Sequence, residues 1–182
     1  MKQVVASYIS LFFCFMLAAC SVNGESPSDY DMISMGYFEN NQYINASLGL
    51  KLNFPKSWYI KNTNKHKKIG RNEFKTIHLF YISKGNPAEK NSGPEAILTL
   101  SKAKSDFLTD KDIIIHGQQT RQFANNKITA TDIIFTYPEF VPGVFKRVIL
   151  LEQDGLFVTI GFTFNQDEKA EVESIINELV IL

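Results

Sequence analysis

The two cysteines of this chain are the side chains with the widest chemistry, because a thiol can form a disulfide, bind a metal, attack a substrate or carry a lipid. Cys14 lies inside an apolar stretch, residues 4–19, that follows Lys2, and Cys20 comes directly after it. A basic start, an apolar middle and small residues before the cut are typical of a secretory signal, whereas sixteen residues interrupted by Ser7 and Ser10 span a bilayer poorly. We therefore predict that residues 1–19 are a cleaved signal peptide.

The four residues Leu17-Ala18-Ala19-Cys20 resemble the lipobox of bacterial lipoproteins. This resemblance implies that Cys20 becomes the first residue of the mature protein and carries diacylglycerol, with fatty acids such as palmitate, through a thioether. Burying acyl chains contributes about 0.8 kcal/mol per methylene, and two or more chains hold a protein stably on a membrane. The alternatives are an ordinary secretory signal with a coincidental cysteine and an uncleaved membrane anchor.

The remaining candidates for chemistry are three histidines and a group of aspartates. His66, His78 and His116 have none of the spacings that bind zinc on one helix, and we interpret His78 as a hydrogen-bonded core residue of a strand. No nucleophile elbow, glycine-rich phosphate loop or second thiol is present in the exported part. The sequence therefore predicts no cofactor, no metal and no enzyme. The aspartates, which lack the glycine and glutamate of a calcium-binding loop, predict a solvated turn: Asp106, Asp110 and Asp112.

One segment, residues 61–71, carries a local positive charge and no acidic residue; we call it the basic segment. Such a segment can contact anionic lipid headgroups at about 1 kcal/mol per side chain near the surface. The alternative is an exposed hairpin loop that lysines keep soluble. Over the whole chain 19 basic and 19 acidic residues cancel, so we expect no nucleic-acid partner. The candidate contacts of the basic segment are Lys61, Lys65, Lys67, Lys68 and Arg71.

The order of polar and apolar residues predicts an antiparallel sheet. Apolar residues alternate with polar ones from Leu48 to Phe54, which is the period of a strand with one buried face, and Pro55 ends it. Further strands are predicted at 74–82 and 95–101, and turn residues separate four segments of a meander at 120–123, 127–137, 144–153 and 156–164. Residues 106–115 stay open between a short helix and a strand.

A helix is predicted to close the chain. Asn165 followed by Glu168 favours a helix start, and apolar residues then recur at helical spacing on one stripe. We expect this stripe to pack on the apolar face of the last strand, residues 156–164. The stripe consists of Val172, Ile175, Ile176 and Leu179. The expected organisation is a cleaved signal peptide at 1–19, a lipidated cysteine and flexible tether at 20–42, and one globular α+β domain at 43–182.

The residues of this domain resemble the PsbP-like family, which includes small DcrB-like bacterial lipoproteins. The resemblance rests on the segment Leu52–Trp58, on the order of elements after it and on the closing helix 173–179, and it spans residues 43–182. It implies an α/β/α sandwich, in which helices cover both faces of an antiparallel sheet. It also implies a non-enzymatic envelope or photosystem accessory protein that binds partners, and it transfers no functional residues.

Three functions compete on these observations. We expect a non-enzymatic, membrane-anchored envelope lipoprotein that binds a protein partner or assists assembly. The alternative is a small-molecule or lipid-binding module with an apolar pocket between sheet and helix, and a hydrolase is the third. Ser21, rather than aspartate, after the lipidated cysteine resembles lipoproteins directed to the outer membrane of a two-membrane cell. In a one-membrane cell the protein would face outward from the plasma membrane.

Overall fold

A computed structural model describes residues 32–63, 67–85, 93–104, 112–123, 128–138 and 142–181. These residues form thirteen strands and one α-helix, α1 (Lys169–Asn177). The strands are β1 (Met32–Ser34), β2 (Tyr37–Glu39), β3 (Gln42–Asn45), β4 (Leu50–Asn53), β5 (Trp58–Thr63), β6 (Lys68–Gly70), β7 (Thr76–Lys84), β8 (Glu95–Ser101), β9 (Ile114–Phe123), β10 (Ile128–Thr136), β11 (Val144–Gln153), β12 (Leu156–Asn165) and β13 (Val180–Ile181).

Seven strands form one large antiparallel sheet in the order β5-β7-β8-β12-β11-β10-β9. Strands β9 to β12 are neighbours in chain order, so the predicted meander is confirmed. The turn between β11 and β12 is the pair Asp154-Gly155, whose φ angles are 52° and 72°. Positive φ at both residues is what a two-residue hairpin turn needs, and it fixes the register of β11 against β12.

A smaller sheet, in the order β13-β4-β3-β2, packs on one face of the large sheet. Its contact is largely aromatic: the ring centroids of Phe38, Tyr43 and Phe54 lie 5.5, 4.7 and 5.7 Å from that of Phe80 in β7. Edge-to-face aromatic pairs at these distances add to the stabilisation that comes from burying the rings. The core therefore lies between the two sheets and continues under α1.

Helix α1 begins as the sequence predicts. The backbone N–H of Asn165 donates to Glu168 Oε2 over 2.8 Å, as in a capping box, and a short 3₁₀ turn at Gln166–Glu168 leads into α1. The predicted apolar stripe is buried, with Val172, Ile175, Ile176 and Leu179 all at most 6% exposed. The face of β12 is buried too, at Leu156, Val158, Ile160, Phe162 and Phe164. Helix α1 contacts β12 and β4.

The fold is antiparallel and sheet-rich; one expectation about the tether needs correction, and one open segment is resolved in part. Residues 32–42 are not tether but contain β1 and β2, because Ile33 and Met35 are buried and the Tyr43 hydroxyl donates to the Met35 carbonyl over 2.8 Å. Residues 114–115 belong to β9, which resolves the C-terminal end of the open segment as strand. Residues 1–31 and 105–111, and with them the signal peptide and any helix at 106–111, lie outside the described residues.

Candidate interaction surface at the edge strand β9

Strand β9 is an outer strand of the large sheet and pairs with β10 along its inner side. All residues from Ile114 to Thr120 are exposed, and the exposed fractions of Ile114 and Ile115 are 51% and 47%. Within the described residues, no strand pairs with the outer side of β9. The outer side therefore presents a row of backbone N–H and C=O groups together with two isoleucine side chains.

Polar side chains of β9 bond to other residues of their own sheet. A His116 ring nitrogen lies 2.8 Å from the Thr136 hydroxyl oxygen, and the Thr129 hydroxyl donates to Gln122 Oε1 over 3.1 Å. Both bonds run to β10, on the inner side of the strand. Because these side chains are already occupied, recognition at the outer side would depend mainly on the backbone.

A buried carboxylate, Asp132 of β10, holds β9 against its neighbours. Arg147 of β11 donates to both oxygens of Asp132, from Nε and Nη2, over 2.8 Å each. Arg121 of β9 donates from Nε over 2.5 Å, and Gln119 of β9 donates from Nε2 over 2.8 Å. Asp132 and Arg147 are each only 2% exposed, so this pair is largely screened from solvent. Charge-assisted bonds of this geometry are among the strongest side-chain bonds in proteins.

Glu173 of α1 extends these bonds to the helix. It accepts from Arg121 Nη2 over 2.9 Å and from Arg147 Nη1, and Arg121 Nη1 donates to Asn177 Oδ1 over 3.2 Å. Two arginines and two carboxylates balance in charge. We call this set the Asp132 network; it comprises Gln119, Arg121, Asp132, Arg147, Glu173 and Asn177. It ties β9, β10, β11 and α1 together.

The pKa values in the Asp132 network lie far from neutrality. Burial alone would raise the pKa of Asp132, but the bonds from Arg147, Arg121 and Gln119 outweigh burial and lower it to about 2. Burial opposes the charge of Arg147 as well, yet the bonds to Asp132 and Glu173 raise its pKa above the usual range. The bond from Arg147 lowers the pKa of Glu173. A general acid or base works best with a pKa near the ambient pH, so this network fits a structural role.

The opposite edge of the large sheet, β5, contacts α1 through partly exposed charges that do not bond to a buried ion pair. The Trp58 indole donates to Glu171 Oε1 over 2.9 Å, and Lys84 of β7 pairs with Glu171 Oε2. The side chains of Lys84 and Glu171 are 40% and 23% exposed. The Trp58 ring is buried, and its centroid lies 5.4 Å from that of Phe54. Helix α1 thus reaches both outer strands of the sheet.

The structure describes part of the basic segment. Lys61 lies in β5 by its backbone, Lys67 and Lys68 are exposed, and Arg71 donates from Nη1 to the Asp154 carbonyl over 2.9 Å. Strand β5 belongs to the large sheet and β6 pairs with β1, so the two do not form a hairpin with each other. The side chain of Lys61, and residues Lys65 and Cys20, lie outside the described part of the chain.

The other sequence candidates do not converge on one site. His78 is exposed rather than a core residue, and its Nδ1 lies 3.0 Å from the Thr99 hydroxyl oxygen. Among the described residues, no group of three or more His, Cys, Asp or Glu side chains could hold a metal ion. In the same part of the chain, no helix has the length and apolar character needed to cross a bilayer.

The sequence analysis missed the Asp132 network. One signal was present: Asp132 lies between β-branched residues in the predicted strand 127–137, and Arg147 lies in the next predicted strand, 144–153. A buried charge is rare unless it is paired, so two such residues in adjacent strands of a meander are candidates for each other.

Two open grooves lie on the surface of the described residues. One, of about 380 Å³, runs between β9 and the end of α1 and is lined by Arg121, Gln122, Phe123, Ile176, Asn177 and Leu179. The other, of about 480 Å³, lies beside β3 and β4 and includes Ile44, Leu50, Lys51 and Gln153. The Oε1 atom of Gln153 is buried without a hydrogen-bond partner. Neither groove is enclosed.

Comparison with known proteins gives a likeness in structure alone. No protein-family model matches the chain, and no curated protein matches it in sequence. Among solved structures, the chain is similar to the solution structure of cyanobacterial PsbP (CyanoP) from Synechocystis sp. PCC 6803, with a TM-score of 0.50 and 9% sequence identity. The match covers 90% of this chain and 99% of that one. The domain therefore has a PsbP-like fold.

Proposed function

We propose that this protein is a non-enzymatic envelope lipoprotein that binds a protein partner or assists assembly through its PsbP-like domain. The observation that carries the proposal is β9, a ten-residue outer strand with an exposed backbone edge and two exposed isoleucines. The Asp132 network supports it, because a strand tied to β10, β11 and α1 presents this edge in a fixed shape. Rigid edges bind partners with little loss of conformational entropy.

The anchor is the second part of the proposal. A lipid on Cys20 would hold the domain at a membrane on the exported face, as in DcrB-like lipoproteins, and Ser21 favours the outer membrane in a two-membrane cell. Lys67 and Lys68 are exposed, so the basic segment could contact anionic headgroups there. Labelled palmitate should enter the wild-type chain and not Cys20→Ala. A wild-type chain without label would contradict the anchor.

The finer form of the fold is proposed as well. An α/β/α sandwich needs a helix on the second face of the large sheet, and the sequence offers two places for it, the segment that begins at Asp106 and the segment before Tyr43. Backbone chemical shifts of these two segments test this. Helical shifts support the sandwich, and extended shifts contradict it.

A second function, binding of a small molecule or lipid, has one observation in its favour. The groove of about 380 Å³ lies between β9 and α1, where an apolar pocket was expected, and it is lined in part by Phe123, Ile176 and Leu179. Arg121 and Asn177 at its wall bond to each other. Mass spectrometry of lipids and metabolites retained by the purified protein tests this function.

Photocrosslinking in intact cells tests partner binding. A benzophenone amino acid is placed at Ile115 on β9, at Tyr59 on β5 and at Lys51 on the small sheet, all of which are exposed. We expect a discrete protein adduct from position 115 and identify it by mass spectrometry. Absence of protein adducts at all three positions, together with a retained small molecule, would favour the second function.

A further inference from the structure

Gly117, in the middle of the exposed part of β9, directly follows the bulge at His116. Its φ lies outside the left-handed region, so other residues can adopt its backbone conformation. A Cβ atom added to it meets no atom within 4 Å. Glycine within a strand costs stability, and it often marks a bulge, such as the one at His116, or a place where another backbone approaches closely. The space at the Cβ position of Gly117, over a face of the sheet, is open to an atom of another chain.

The length of β9 separates it from the other outer strands of the described sheets. Edges are usually protected by being short, bulged or charged with lysine. Strand β5 has six residues, a bulge between Ile60 and Asn62, and Lys61. Strands β1, β2, β6 and β13 have two or three residues each. Strand β9 has ten residues without lysine or proline. Its bulge lies at His116, which has no partner in β10, so the seven residues from Gly117 to Phe123 form its regular part.

We propose that β9 binds an extended segment of the partner protein, which adds to the large sheet as an eighth strand. This inference rests on the proposed function and names its binding mode. The backbone groups of β9 select an extended chain, and the seven residues from Gly117 to Phe123 beyond the bulge offer a regular run of roughly 23 Å at about 3.3 Å per residue. The backbone of the bound segment passes close to Gly117, where β9 has no side chain to hold the two strands apart.

The side chains of β9 define the chemistry of that segment. Strand β9 has no acidic residue, and the guanidinium of Arg121 is already bonded to Asp132, Glu173 and Asn177. The segment is therefore uncharged, and β-branched or aromatic residues lie opposite Ile114 and Ile115. A second copy of this chain fits less well, because full-length antiparallel pairing of β9 with itself places Ile114 opposite Phe123 but Ile115 opposite the polar Gln122.

The test combines blocking variants with crosslinking of the full-length chain in intact cells. Benzophenone at position 115 reports on the partner. Gly117→Trp places a large side chain in the open space over the sheet face at Gly117, where it crowds a strand that passes close beside it, and Thr120→Lys adds a lysine to the edge. Tyr59→Lys on β5 is the matched control, because Tyr59 is also an exposed strand residue, with 52% exposure. Circular dichroism confirms that each variant is folded.

We expect Gly117→Trp and Thr120→Lys each to reduce the adduct at position 115 at least tenfold, while Tyr59→Lys leaves it unchanged. An undiminished adduct in both β9 variants would overturn strand addition. An adduct from position 59 without one from position 115 also overturns it, although partner binding then stands. Adducts that contain only a second copy of this chain overturn the choice of occupant. Absence of protein adducts from every position refutes the proposed function itself.

Discussion

The two outer strands of the large sheet, β5 and β9, are fastened to the same helix by different means. Strand β5 reaches α1 through Trp58 and Glu171, at a contact that solvent partly reaches. Strand β9 reaches it through Arg121 and Glu173, in bonds continuous with the buried Asp132. The two contacts with α1 are similarly exposed, since the side chains of Glu173 and Glu171 are 39% and 23% exposed. The difference is that the bonds of β9 continue to the buried pair Asp132 and Arg147, and β9 is also the longer of the two edges.

Loss of the central bonds of the Asp132 network should lower the free energy of unfolding more than any other change at the two outer strands. Arg147→Met removes the bidentate partner of a buried carboxylate, and loss of one member of a buried pair typically costs about 3–5 kcal/mol. Urea unfolding of residues 21–182 measures this loss. Hydrogen exchange should accelerate in β9 more than in β5.

The double variant Asp132→Leu/Arg147→Met is the control for that experiment. It removes the buried carboxylate together with its partner, so it should recover at least half of the lost free energy of unfolding. If the single variant costs less than about 1 kcal/mol, the network does not fasten β9.

Ile176→Asp should weaken both edges together. The side chain of Ile176 is 1% exposed under α1, and a carboxylate placed there without a partner should cost on the order of 3 kcal/mol. A thermal melt of residues 21–182 measures the effect, with the exposed Glu178→Gln as a control that should change little. An unchanged midpoint for Ile176→Asp would mean that α1 contributes little to the fold. The inference that α1 holds both β5 and β9 in place would then be wrong.

Asp132, which bonds to Arg121 and Gln119 of β9, should make the free energy of unfolding depend on pH. The pKa of Asp132 is about 2 in the folded protein and about 3.9 in an unfolded chain, so the unfolded state binds more protons between these values. This carboxylate then contributes on the order of 2 kcal/mol above about pH 4, and the contribution is lost as the pH falls toward 2. Free energies of unfolding at pH 5 to 2 measure it. Asp132→Asn should have a shallower pH dependence, and identical slopes would contradict the assignment.

Breaking the β5 fastening should have the smallest effect. Glu171→Gln removes the charge that pairs with Lys84 but retains an acceptor for the Trp58 indole, and partly exposed ion pairs contribute about 1 kcal/mol or less. Denaturant unfolding followed by Trp58 fluorescence measures this, with Lys84→Met as the matched change on the other partner. A loss of more than about 3 kcal/mol would show that both edges are fastened alike.

Local pattern predicted much of the fold, because strand periods and turn residues are properties of neighbouring positions. Strands β8 and β11 match their predicted bounds, and the helix start at Asn165 and Glu168 is confirmed. Residues 32–42 were predicted to belong to the tether, because short strands such as β1 and β2 show little periodicity. Their pairing with β6 and β3 depends on the tertiary fold, which local sequence pattern does not show.

The candidate site was harder to predict for a related reason. Strands β8 and β9 follow each other in the chain, but three other strands lie between them in the sheet, so sequence order gives no sign that β9 is an edge. Asp132 and Arg147 bond because of the register between β10 and β11, although they are not directly opposite in it. Both charged residues are visible in the sequence, but only the register between β10 and β11 brings their side chains within hydrogen-bonding distance.

Hydrogen exchange of the complex tests the central claim, that β9 is the docking edge, most directly. The full-length chain is isolated with its crosslinked partner, and amide exchange in residues 114–123 and 58–63 is compared with that of the free chain by mass spectrometry. Strand addition predicts at least tenfold slower exchange in β9 and no change in β5, because the partner backbone bonds only to the outer side of β9. Unchanged exchange in β9, or protection that appears in β5 instead, would contradict the account.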